Sequence, residues 1–265
     1  MDIQPIAYRD LHKVLDLQPP GWDIMPSIEF YTQHDYCFPI KLTRDQKIIG
    51  IGTTIIHNDV AWLAHIIVHP DYRNQGIGIF ITQKLVDRVR AENCDTVYLL
   101  ATELGEPVYK KTGFEVETEY LSFKGTIESG VTVDMKNIFP NAGDFQKQIA
   151  QLDQQVSGED RMFHLKSYLP SGYVYVQENE VMGYYLPTLG DGLIIATGDE
   201  AGFELMKLRL QSKDFAVFPG DNKNAIAFMQ KLGFEEFRTQ KRMRLGNQRH
   251  WEPTGIYNRI GGNLG

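Results

Sequence analysis

Two segments of this chain, Tyr109-Lys110-Lys111-Thr112-Gly113-Phe114-Glu115 and Met229-Gln230-Lys231-Leu232-Gly233-Phe234-Glu235, are versions of one another set 120 positions apart. A repeat of that length is far longer than a solenoid period and fits two copies of a whole domain. The total of 265 residues agrees, since about 150 residues per domain is a fair starting estimate.

The patterns leading into the two segments run in the same order. Leu11, Val14, Leu15 and Leu17 fall near helical spacing before Pro19-Pro20, and residues 28–33 read as a second short helix. β-Branched runs follow at 39–43, 47–56 and 60–69, separated by the polar turns Arg44-Asp45-Gln46 and His57-Asn58-Asp59, which predicts an antiparallel meander. A glycine-bearing loop leads to a helix with Ile81, Leu85 and Val89 four apart. Then come a buried strand over 97–101, a short helix opened by Pro107, and strands after Gly113. In the second half, helices reach residue 169, a hairpin of 173–177 and 181–186 turns at Glu178-Asn179-Glu180, and strand 193–197, helix 201–211 and strand 215–218 follow. Hairpins giving way to strand-helix-strand predict a mixed, mostly antiparallel sheet flanked by helices in each copy, an α/β (α+β) fold, with a cleft where strand direction changes. Residues 125–142 lack clear periodicity, so the expected division is 1–125, a linker over 126–140, and 141–265.

Composition narrows the function. A net charge of -7 and no block of like charges argue against nucleic acid as the main ligand and favour a cationic or neutral small molecule. Cys37 and Cys94 are the only cysteines and lie far apart in sequence, which excludes a disulfide framework and a structural zinc site and points to the reducing cytoplasm. Residues 1–10 have no basic-then-apolar order, and the apolar-rich run 48–56 is broken by glycine and threonine, so neither export nor membrane insertion is expected. His65 and His69 in a strand would stand about 13 Å apart, too far to share a metal.

The chemistry concentrates in Ile66-Ile67-Val68-His69-Pro70-Asp71-Tyr72-Arg73-Asn74-Gln75-Gly76-Ile77-Gly78, a strand that runs through a loop with two glycines into a helix. Free amides at a helix start, the positive end of its dipole and glycines that admit a ligand to the main chain make a site for a pyrophosphate, and Arg73 adds a fixed positive fork. Ile81 stands where a dinucleotide fingerprint would need its third glycine, and no Gly-Lys-Ser/Thr of a P-loop is present.

Arg-x-x-Gly-x-Gly after a Val-x-Pro strand end, with Tyr-x-x-x-Gly-Phe 36 residues later, resembles the GNAT acyltransferase superfamily over residues 1–125. The resemblance implies two tandem GNAT-like domains, with acetyl-CoA as co-substrate and no metal. Main-chain groups of Ile66, Ile67 and Val68 would pair with the pantetheine arm, and Arg73, Asn74, Gln75, Gly76, Ile77 and Gly78 would hold the phosphates. The family uses its matching tyrosine, here Tyr109, as the acid that protonates the departing thiolate, a role suited to a phenol of pKa about 10. An acceptor amine of pKa about 10.4 must shed a proton before attack. Relatives place Glu or His at positions that here hold Trp62 and Ala64. His65 is one step out, which in a regular strand turns it to the other face and makes it a packing residue. Glu103, after the fifth strand, is the remaining choice for a base acting through water. Neither cysteine falls near the expected acetyl position, so direct attack is expected over an acyl-enzyme.

In the second copy the loop position reads Ala196-Thr197-Gly198-Asp199-Glu200-Ala201-Gly202, without an arginine and with two acids that repel phosphate, and Met229 stands in the tyrosine slot. Residues 141–265 therefore read as a divergent, non-catalytic copy. The chain reads as an N-acetyltransferase acting on a primary amine of a small molecule or peptide. The alternative is a protein that senses acyl-CoA or an amine without turnover. No nucleic-acid or membrane partner is expected, and a homodimer is left open.

Overall fold

The breaker Pro19-Pro20 ends the first helical stretch, which in the computed structural model is cut into single turns of 310 geometry around a short α-helix. The structure describes residues 1–127, 131–141 and 143–265, so residues 128–130 of the expected linker lie outside the described residues. The chain runs through β1 (Asp2–Pro5), α1 (Leu11–Val14), α2 (Met25–Gln33), β2 (Cys37–Arg44), β3 (Lys47–His57) and β4 (Val60–Val68). It continues with α3 (Ile77–Ala91), β5 (Thr96–Ala101), α4 (Glu106–Lys111) and β6 (Glu115–Lys124). After β7 (Ile138–Pro140) come α5 (Gln146–Ser157), α6 (Met162–Leu165), β8 (Tyr173–Gln177), β9 (Glu180–Leu186) and β10 (Leu193–Ala196). Last are α7 (Asp199–Leu210), β11 (Phe215–Pro219), α8 (Lys223–Lys231), β12 (Glu235–Gly246) and β13 (Ile256–Asn258). No helix among the described residues is long and apolar enough to cross a membrane.

Contacts divide the chain into two compact units, Met1–Val116 with Met243–Gln248, and Glu117–Arg242 with Arg249–Gly265. The sequence places the first break at residue 125, but β6 changes units after Val116. A long strand with alternating side chains carries no mark of where one core gives way to the next. Within the expected linker, β7 is an ordered strand that pairs with β8 from Ile138↔Tyr175 to Pro140↔Tyr173.

In the first unit the sheet order is β1-β2-β3-β4-β5, followed by the end of β12. β1 to β4 are antiparallel neighbours, whereas β4 and β5 are parallel and joined through α3, as parallel strands require. Ile77, Ile81, Leu85, Val86 and Val89 put the apolar stripe of α3 into a core with Leu63, Val97, Leu99, Tyr109 and Phe114. Met243, fully buried, belongs to this same core.

The second unit holds a five-stranded antiparallel sheet in the order β13-β10-β9-β8-β7, and a β6–β11 pair. Its core gathers Phe123, Ile194, Leu205, Phe218, Met229 and Phe234, with Phe123 and Phe218 stacked at 5.3 Å. Glu117 and Arg242 pair at 2.7 Å within it.

Candidate active site

β4 and β5 pair at Val60↔Thr96, Ala61↔Val97 and Trp62↔Tyr98, and their ladder stops there. Beyond that point β4 has a bulge: its register with β3 shifts between Thr53↔Ala64 and Ile51↔Ile67, so His65 and Ile66 together oppose Gly52. The N–H of His69 donates to the carbonyl of Ile49 on β3 at 2.9 Å. Alternation along the ladder then turns the main-chain groups of Ile66 and Val68 away from β3, toward the side that β5 has left. Of these groups, the Val68 carbonyl accepts from Nε of Arg73 at 3.2 Å.

The loop after β4 is set by three local features. Pro70 starts a 310 turn with His69 as its cap, Asn74 takes a left-handed φ of 60°, and Gly76 takes 78° at the N-cap of α3. A side chain at Gly76 would be strained at that φ. The first acceptor bond of α3 runs from the N–H of Phe80 to the carbonyl of Gly76. Among the described residues the N–H groups of residues 74–79 have no acceptor. Residues 73–76 are exposed, Ile77 is buried beneath them, and the dipole of the 15-residue helix ends at these amides. The site expected of Arg73, Asn74, Gln75, Gly76, Ile77 and Gly78 is thus one continuous run of donors, with Arg73 anchored by one edge of its guanidinium.

Tyr109 sits on α4, in the turn that Pro107 opens. The residue is 9% exposed, and its ring meets Phe114 edge-on at 6.2 Å. Burial pushes its phenol up to about 12, and among the described residues its hydroxyl has no hydrogen-bond partner. Glu103 lies in the turn between β5 and α4, exposed to solvent. Cys37 and Cys94 are buried free thiols, pushed up to about 12 and about 11, chiefly by burial, so both stay protonated at neutral pH.

The bulge changes the place of His65. Regular alternation puts it out of the way on the far face, but the extra residue interrupts that alternation, and His65 adopts a left-handed φ of 47°. Its Nδ1 lies 2.9 Å from the Tyr31 hydroxyl of α2, and desolvation lowers its pKa to about 4. The sequence carries no turn residue at this point that would have announced the bulge.

In the second unit the helix start is already filled by acids and their partners. Asp199 accepts from Tyr257 at 2.7 Å and from Asn224 at 2.7 Å, and Glu200 accepts from Tyr175 at 2.8 Å. Met229, in the slot that Tyr109 holds in the first copy, is wholly buried in that unit's core.

The site is a parted pair of strands with an amide-lined helix start beside it, and comparison with known proteins supplies a family for the first unit. Residues 8–114 match the model of the acetyltransferase (GNAT) family. That match lies within the first unit, and solved structures of GNAT proteins share the fold of the whole chain. A structure from Pyrococcus horikoshii, an acetyltransferase by assignment, is similar over all of this chain and 95% of its own, at 20% identity and a TM-score of 0.84. A tandem GNAT protein from the clavulanic acid biosynthesis pathway covers 94% of this chain and 99% of its own at 13% identity and a TM-score of 0.65. A GCN5-related N-acetyltransferase from Sphaerobacter thermophilus covers 96% and 98% at 11% identity and a TM-score of 0.64. No curated protein matches the sequence.

Proposed function

We propose that this protein is an N-acetyltransferase whose first unit moves an acetyl group from acetyl-CoA to a primary amine of a small molecule or peptide by direct attack. The run of unpaired amides over residues 74–79, set at the start of α3 where β4 and β5 have parted, carries this reading. Those donors fit a diphosphate, and the outward main-chain groups of Ile66 and Val68 fit an amide-bearing arm. Acetyl-CoA would supply the thioester, whose C–S bond breaks as the amine nitrogen bonds to the carbonyl carbon.

The chain's own residues then have three tasks. Arg73 and the loop hold negative charge, and the edge of β4 orients the arm. Tyr109 stays neutral at any working pH and can give its hydroxyl proton to the departing sulfur. The amine's proton must leave as well. Glu103, exposed, can take it through water, and His65, neutral down to about pH 4, is a second acceptor at the bulge. The two protonated, buried thiols support direct attack over a cysteine acyl-enzyme.

A sensor that binds acyl-CoA without turnover is the second reading, favoured by the buried Trp62 and Ala64 at positions where relatives place a base. The test is CoA-thiol release from acetyl-CoA with amino acids, polyamines, aminoglycosides and peptide N-termini as acceptors. Turnover with one class is the expected result. Saturable acetyl-CoA binding with no thiol released by any amine would replace the enzyme with the sensor.

A further inference from the structure

The repeated order of elements makes β10 and β11 of the second unit the counterparts of β4 and β5, yet among the described residues β10 and β11 share no ladder. The chain's own C-terminal residues lie there instead. β13 runs antiparallel to β10 at Ile194↔Asn258 and Ile195↔Ile256. On the β11 side, the N–H of Arg259 donates to the Val217 carbonyl at 2.9 Å, and the N–H of Val217 donates to Oδ1 of Asn258 at 2.9 Å. Residues 256–259 are therefore bonded to both strands.

Further contacts fix the segment. The Asn258 amide, wholly buried, donates to the carbonyls of Gly192 at 2.8 Å and Asp191 at 3.2 Å. Asn222 donates to the carbonyls of Thr254 at 2.8 Å and Ile256 at 3.2 Å. The Tyr257 ring lies against Gly202 in the first turn of α7, where any Cβ would fall within the ring. Its hydroxyl reaches Asp199 at the same helix start. An acid there meets the positive end of the helix dipole, as a phosphate would.

We propose that residues 256–259 are a built-in occupant of the second unit's cofactor slot, so that this unit takes no acyl-CoA and the chain binds one molecule. The inference rests on the reading that the first unit uses the corresponding gap for acyl-CoA. A β-strand offers a gap between strands the same kind of amide donors and carbonyl acceptors as a pantetheine arm. Being part of the same chain, it competes at an effective concentration of order mM, without ever dissociating from the protein. The Asp199 carboxylate, held by Tyr257 and Asn224, puts negative charge where a diphosphate would have to sit.

The test is amide hydrogen exchange on the full chain with and without acetyl-CoA, together with calorimetric stoichiometry. The expected result is slow exchange at Val217 and Arg259 in ligand-free protein, no change there on adding acetyl-CoA, and one molecule bound per chain. Asn258→Ala should speed exchange at Val217 about tenfold, the loss expected for one buried hydrogen bond, without raising the stoichiometry. Fast exchange at Val217 and Arg259 in the free protein, a change there on adding acetyl-CoA, or two molecules per chain would overturn the proposal. If acetyl-CoA neither binds nor slows residues 74–79 while Val217 and Arg259 remain slow, the reading of the first unit fails and the occupied slot stands.

Discussion

The Tyr31 hydroxyl lies 2.9 Å from Nδ1 of His65, joining α2 to the bulge of β4. This bond fixes one ring nitrogen of a histidine held at a left-handed backbone angle, and leaves Nε2 without a partner among the described residues. Desolvation lowers the folded pKa to about 4, against an ordinary value of 6.5. Between those values the unfolded chain binds the extra proton and the folded chain does not, so stability is full above about pH 6.5 and falls as pH drops toward 4. Urea denaturation of wild type and His65→Gln across pH 4 to 7.5 checks this. Wild type is expected to lose more stability than the variant over that interval, and parallel curves would remove His65 as the cause.

Tyr109→Phe removes the proposed proton donor and keeps the ring that packs on Phe114. Its expected effect is a fall in kcat of about a hundredfold, the lower range for loss of a positioned acid, with the KM for acetyl-CoA nearly unchanged. Because burial holds the phenol near 12, wild-type activity should show no tyrosine-linked loss up to about pH 10. Equal damage to kcat and KM would point to a packing role.

Arg73 is tied to the Val68 carbonyl through Nε, which leaves the rest of its guanidinium for a ligand. Replacing it with Ala should raise the KM for acetyl-CoA about tenfold, the worth of roughly one charge-assisted hydrogen bond, while kcat holds. Initial-rate kinetics at fixed ionic strength would show it. An unchanged KM would take Arg73 out of the phosphate site.

Met243 lies 130 or more residues beyond most of its core partners, yet it is fully buried with Leu63, Val97 and Phe114 in the first unit. Met243→Ala should cost about 2–5 kcal/mol, as for other large-to-small changes in a packed core. Hydrogen exchange resolved by segment should show the loss in α3 and β5. A loss confined to the second unit would contradict the assignment of this residue.

The elements were legible where side-chain period decides them. Strands 173–177 and 215–218 emerge from short apolar runs almost to the residue, and α3 from its four-residue spacing. The loop into α3 and the place of Tyr109 on α4 follow from local residues, Gly76 and Pro107, while the roles given to them are proposals. Features set by distant pairing leave no such mark in the sequence. β1 and β13 are strands of four and three residues whose partners lie far along the chain, and nothing in Asp2–Pro5 or Ile256–Asn258 distinguishes an edge strand from a loop. The bulge at His65 is invisible for the same reason, since a register shift belongs to two strands and has no signature in one. The passage of β6 and β12 between units is likewise a property of packing.

A crystal structure of the full chain with bound CoA tests the central claim most directly. The account predicts diphosphate oxygens within about 2.7–3.2 Å of amides in residues 74–79, with residues 256–259 still seated between β10 and β11. A CoA bound in the second unit, or a loop whose amides turn to acceptors within the protein, would contradict it.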